Sequence, residues 1–147
     1  MRLSTKGRYG TRAMLDVALH ADEGLVHLKD IAERQELSKK YLEQLVARLE
    51  ADGLLRTVRG AGGGVALARP ASEVTILDIL RTLEGSLALV ECVDRSEVCS
   101  RSVNCGARDL WAELGDAMTG FLGSVTLEDL CERQKAKGRP AALTYCI

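Results

Sequence analysis

Apolar positions recur along the first half of the chain with two different periods. From about Thr5 to His20, Tyr9, Ala13 and Val17 recur every four residues, and Leu15, Ala18 and Leu19 widen the same face, which predicts an amphipathic helix. Asp22-Glu23-Gly24 breaks it. A second helix is predicted from about Leu28 to Gln35, with Ile31 and Ala32 inward, followed by a short turn at Glu36-Leu37-Ser38. Ser38 is a good N-cap for a third helix reaching about Asp52, whose stripe is Leu42, Leu45, Val46 and Leu49, and Gly53 is its C-cap candidate. The period then changes. Leu54 to Arg59 and Val65 to Ala68 read as short strands joined by Gly60-Ala61-Gly62-Gly63-Gly64, a hairpin that Pro70 ends.

The second half returns to helical spacing. Thr75, with Asp78 three residues later, resembles a capping box opening a helix with Ile76, Leu77, Ile79, Leu80 and Leu83, stopped near Gly85. A loop follows from about Leu87 to Gly106. A long helix begins near Ala107, with the stripe Leu110, Trp111, Leu114, Met118, Phe121, Leu122 and Val125. Thr126 with Asp129 starts a final short helix, on which Cys131 reads as a small core residue beside Leu127 and Leu130. Trp111 and Phe121, on a helix of this kind, read as core or interface rather than as base-stacking groups. The tail from Lys135, with Gly138 and Pro140, is expected to fray. This divides the chain into 1–70, 71–134 and a flexible 135–147.

Composition adds class and compartment. The 147 residues are 46% hydrophobic and 28% charged, and no apolar run approaches the roughly 18 residues of a membrane span. The N-terminus lacks the apolar stretch of a signal peptide, so the expected location is cytoplasmic, with no membrane partner. Net charge is −1 but unevenly placed. Residues 1–70 hold 12 Lys and Arg against 9 Asp and Glu, a net of +3; residues 71–147 hold 8 against 12, a net of −4. A basic first half and an acidic second half fit a DNA-binding part joined to a regulatory part.

Two short helices, a tight turn and a β-hairpin form the plan of a winged helix-turn-helix, in a mainly α chain. The third helix fits a major groove, and its N-terminal residues reach base edges. Ser38, Lys39 and Lys40 sit where helix dipole and positive charge favour phosphate. Glu43 can accept from cytosine N4, Gln44 can pair with adenine, Tyr41 lies between them, and Arg59 at the wing base is placed to enter a minor groove. The expected partner is double-stranded promoter DNA. The glycine run is no nucleotide loop, because the position after Gly60 and Gly62 where a third glycine belongs is Val65, and a strand follows. No nucleophile–base pair or carboxylate dyad is evident. An enzyme is not expected, nor a small-molecule substrate.

Five cysteines, an odd number, make a poor disulfide framework in a reducing compartment. Three of them, Cys92, Cys99 and Cys105, fall within 14 residues as Cys-x6-Cys-x5-Cys. The close pairs favoured by zinc are absent, and wider-spaced thiolates on a loop can wrap a larger cluster. The spacing alone leaves zinc open.

Met1-Arg2-Leu3, Lys6-Gly7-Arg8-Tyr9, Ala13-Met14-Leu15-Asp16-Val17-Ala18-Leu19, Ile31-Ala32-Glu33-Arg34-Gln35, Tyr41-Leu42-Glu43-Gln44-Leu45 and Val58-Arg59-Gly60 with Gly62-Gly63-Gly64 resemble, in order, the Rrf-two family of winged-helix bacterial regulators, above all its cluster-carrying branch. Similarity resumes at Leu110-Trp111 and Thr119-Gly120-Phe121-Leu122. The resemblance implies a homodimer built on the long C-terminal helix, and an iron–sulfur cluster held by Cys92, Cys99 and Cys105. The branch has a histidine three residues after the third cysteine, where this chain has Arg108, which stays protonated. Related members place a ligand near positions 8 or 12, which here are Arg8 and Arg12. His20 and His27 lie in the DNA-binding half; Asp109 is the nearest carboxylate beyond the loop, with Glu91, Asp94 and Glu97 within or beside it. A [4Fe-4S] cluster is the expectation over [2Fe-2S]. Loss of the cluster is expected to free a charged loop with little apolar content. The expected function is promoter binding gated by the cluster. The alternative is a cluster-free winged-helix regulator that senses through a protein partner or thiol oxidation.

Overall fold

The computed structural model describes residues 3–138. Met1, Arg2 and residues 139–147, with Cys146 and most of the expected tail, lie outside them. The first helix, α1 (Thr5–Leu19), starts at Ser4, whose hydroxyl accepts from the Gly7 amide. It buries Ala13, Met14 and Val17 against α2 (Leu28–Gln35) and α3 (Lys39–Ala51). The turn between α2 and α3 closes through Glu36 N–H to Glu33 O and Leu37 N–H to Ala32 O, with Glu36 in the left-handed region at φ 55°. Ser38 caps α3 by accepting from the Tyr41 amide, and Leu42, Leu45, Val46 and Leu49 are all buried, as their spacing predicts.

The hairpin is β1 (Leu55–Val58) and β2 (Gly64–Leu67), antiparallel, with Leu55 opposite Leu67 and Val58 opposite Gly64. Val26, just before α2, exchanges two backbone bonds with Val65 at 2.9 and 2.8 Å, so the wing is stapled to the start of the helix-turn-helix. This close approach requires glycine at 64, where a Cβ would sit 2.7 Å from the Val26 carbonyl oxygen.

Thr75 and Asp78 form a reciprocal capping box at the start of α4 (Ile76–Glu84). A short α5 (Glu91–Asp94) and two 3-10 turns, Ser96–Val98 and Ser102–Asn104, follow. Then come α6 (Gly106–Ser124) and α7 (Leu127–Gly138). Thr126 and Asp129 exchange bonds as Thr75 and Asp78 do, and Ile76 N–H to Val125 O with Leu127 N–H to Val74 O ties the two helix starts together. The last helix is longer than expected: α7 runs to Gly138, past the expected onset of fraying at Lys135. Cys131 is buried in it, and that burial pushes its thiol pKa up, so the thiol stays protonated. One core joins α1 to α4 with the start of α7, while α6 contributes no fully buried residue. Among the described residues no helix is long and apolar enough to cross a membrane.

Candidate DNA-reading face and cysteine loop

The exposed side of the helix-turn-helix carries the residues expected to read DNA. Ser38, Lys39, Lys40, Glu43, Gln44 and Arg59 are all exposed. Lys39 and Glu43, one turn apart, pair at 3.9 Å, so part of each charge is directed along the helix. Tyr41 differs from the others. It is half-buried, and its ring stands edge-on to Tyr9 of α1 with centroids 6.3 Å apart. The guanidinium groups of Arg8 and Arg12 lie 5.6 and 5.2 Å from the Tyr9 ring centre. These two arginines therefore brace the N-terminal end of α3 from α1.

Beneath that face lies a polar knot not expected from the pattern. Asp16, on α1, is 2% exposed. It accepts from Arg34 through Nε and Nη2, the latter at 2.6 Å, and from Gln35 Nε2 at 2.8 Å. Hydrogen bonding to Asp16 pushes the Arg34 pKa further up. Arg12 in turn donates to the Gln35 side-chain and backbone oxygens. The knot fixes α2 on α1, and so the angle at which α3 leaves the turn.

The cysteine loop carries hydrogen bonds of its own, which its low apolar content does not reveal. Ser102 is 4% exposed, and its hydroxyl lies 2.7 Å from both the Ser96 and Cys99 carbonyl oxygens. Arg108 Nε donates to the Cys92 carbonyl oxygen at 2.8 Å. Glu91 pairs with Arg95, and Asp94 accepts from Ser86. Low apolar content is a poor guide here because backbone-directed serine and arginine side chains can order a loop that burial does not.

Cys92 is on α5, Cys99 follows the first 3-10 turn, and Cys105 caps the start of α6. Cys92 and Cys105 are half-buried, Cys99 is exposed, and all three are unpaired thiols. Among the described residues no three His, Cys, Asp or Glu side chains converge on a point that a single metal ion could occupy. The donor set fits a sulfur-ligated cluster in kind and falls one short of four ligands. Arg108 faces the loop but is spent on a carbonyl, and Glu91 and Asp94 are engaged elsewhere. Asp109, exposed in the first turn of α6, is the carboxylate beside Cys105.

Next to the loop runs a groove of about 780 Å³ between α4, the segment 86–90 and α6, lined on the α6 side by Trp111, Leu114, Met118 and Leu122. The outer side of α6 leaves Leu110 54% and Phe121 62% exposed.

Comparison with known proteins agrees with this architecture. The Rrf2 family, described as iron-dependent transcriptional regulator, matches residues 3–133. The HTH-type transcriptional regulator IscR of Photorhabdus laumondii is 47% identical over 135 residues, covering 92% of this chain and 82% of the relative. Among solved structures, T. potens IscR superposes with a TM-score of 0.79 at 39% identity, covering 95% of this chain and 93% of the other. CymR, the global cysteine regulator of B. subtilis, superposes with a TM-score of 0.76 at 40% identity, covering 90% of this chain and 98% of the other. From the matched winged helix to the capped start of its last helix, the chain belongs to the Rrf2 family of transcriptional regulators, which are not enzymes.

Proposed function

We propose that the protein is a homodimeric promoter-binding regulator whose DNA affinity follows the state of an iron–sulfur cluster held by Cys92, Cys99 and Cys105. The observation that carries this reading is three unpaired thiols on one short loop that is clamped to the first turns of α6. The names of its IscR relatives support it. Soft thiolates suit such clusters, and when bound the group would supply redox and iron-dependent chemistry. Asp109 is the proposed fourth ligand, since the Arg108 guanidinium offers donors only and is engaged by the Cys92 carbonyl.

This chain's own residues provide the transmission. Arg108, in the first turn of α6, holds the Cys92 carbonyl, so a shift of Cys92 is passed to α6. Cys105 occupies the N-cap position of the same helix. The apolar side of α6 packs partly on α4 and partly, in this reading, across a two-fold axis. A small tilt of α6 then changes the separation of the two recognition helices on DNA. The coupling needs only about 1–3 kcal/mol. The division of labour follows: residues 1–70 read DNA through Ser38, Lys39, Lys40, Tyr41, Glu43, Gln44 and Arg59, and 71–134 sense and dimerise.

The test is purification under nitrogen, with iron and sulfide counts, a visible spectrum, and DNA affinity of loaded and stripped protein at matched salt. Alanine at any of Cys92, Cys99 or Cys105 is expected to abolish the absorbance, and Cys131→Ala to leave it. Equal affinity of loaded and stripped protein, or iron and sulfide retained by the triple alanine variant, overturns the cluster reading. The likeness to CymR favours one second reading, a cluster-free regulator acting through a partner or thiol oxidation; protein purified anaerobically without iron or sulfide would select it.

A further inference from the structure

The recognition helix and the wing are separated by a cleft of about 590 Å³. Its rim carries His27 and Lys29 from the start of α2, Lys39, Glu43 and Glu50 from α3, and Arg59 from the wing. The charges in it are not equally free. Lys39 is paired with Glu43, and Glu50 accepts from the Thr57 amide and hydroxyl, which pulls its pKa down. Among the described residues, His27 and Lys29 make no ion pair, and neither is buried. The backbone that carries them is nevertheless held in place. The residue before His27 is the one stapled to the wing by two backbone bonds, and His27 O accepts the amides of Asp30 and Ile31.

The position of this cleft constrains what fills it. A winged helix that puts α3 in a major groove and Arg59 in the neighbouring minor groove must straddle the one sugar–phosphate strand that divides them. That strand carries a negative charge at each nucleotide and is gripped by cations that carry no sequence information. We propose that the cleft seats this strand, and that His27 and Lys29 are its phosphate contacts. The proposal rests on the reading of α3 and the wing as the DNA-binding face and adds two residues, outside the recognition helix, to it.

The chemistry of the two contacts differs. Lys29 brings an ammonium on a long flexible stem, which reaches a phosphate as a point charge. His27 brings a short, planar ring whose N–H can donate to a phosphate oxygen. The groups facing His27 from the surrounding elements are Lys29, Lys39, Glu43, Glu50 and Arg59.

The experiment uses the full dimer, a duplex that the unmodified protein selects from a randomised pool, and a scrambled duplex of equal length. Lys29→Ala is expected to weaken binding about tenfold at low salt, to lower the salt slope by about one, and to leave the ranking of base substitutions unchanged, while Lys29→Arg restores the slope. His27→Ala is expected to weaken binding severalfold on selected and scrambled duplexes alike, and His27→Gln, which keeps an N–H donor, to restore part of it. Neither site belongs to the core, so circular dichroism should report an unchanged fold. Unchanged affinity and slope in the double alanine variant overturn the proposal, and so does a changed base ranking, which would make these residues base readers. If the unmodified protein selects no duplex, the DNA-binding reading fails, and this proposal with it.

Discussion

Asp16 sits where two helices of the DNA-binding half meet. Its carboxylate is buried and answered by a bidentate Arg34 and by Gln35, both from α2, so one side chain joins two helices. Arg34 is itself 37% exposed and can return to water, which limits the penalty of removing its partner. Asp16→Ala is expected to destabilise the fold by about 2 kcal/mol, because Gln35 and Arg34 are left without their acceptor and α2 without its tether. A urea midpoint equal to that of the unmodified protein would refute this role. The pairing is not legible in the chain. Asp16 falls on the polar edge of a helix pattern, and its partners lie 18 and 19 residues away. By contrast the Thr75–Asp78 and Thr126–Asp129 boxes are three-residue relations, set by local backbone geometry, and are visible from spacing alone.

At the scale of elements, the proposed reading divides recognition between α3 and the wing. In it the N-terminal turns of α3, which are exposed, present cations for the DNA backbone and two groups for bases. Lys40→Ala is expected to weaken binding to all sequences and flatten the salt slope by about one. Glu43→Ala or Gln44→Ala is expected instead to relax base preference, by about 1–3 kcal/mol for each side chain that no longer reaches a base. Competition binding against single-base variants separates the two effects. If none of the three changes alters affinity or preference, α3 is not the reading helix. The cysteine loop is the element whose character composition conceals. Its order comes from Ser102 and Arg108 acting on backbone carbonyls, and the Arg108 bond spans 16 residues.

At the scale of the molecule, the distribution of burial points outward along α6. This helix of 19 residues has none fully buried; Met118 and Leu122 turn in, while Leu110, Trp111, Leu114 and Phe121 remain exposed. In the proposed reading this exposed apolar stripe is the association surface of the dimer. Phe121→Asp places a charge on the outermost of these positions and is expected to give monomers or insoluble protein, read by light scattering. A well-folded dimer from that variant would rule this interface out. Because α6 also carries Cys105 as its cap and Arg108 in its first turn, association and sensing would share one rigid element.

The sequence by itself determined the elements and the family. Helical and alternating periods, Ser38, the two threonine caps and the glycine hairpin are local signals, and burial follows them because a face of constant spacing has only one way to leave water. The cysteine spacing is equally a property of the chain. What only the tertiary structure decided is which groups meet: Asp16 with Arg34, Tyr9 with Tyr41, Arg108 with the Cys92 carbonyl, and Val26 with Val65 of the wing. These depend on the docking of helices whose relative placement is set by the shared core, and no period in the sequence encodes a docking angle.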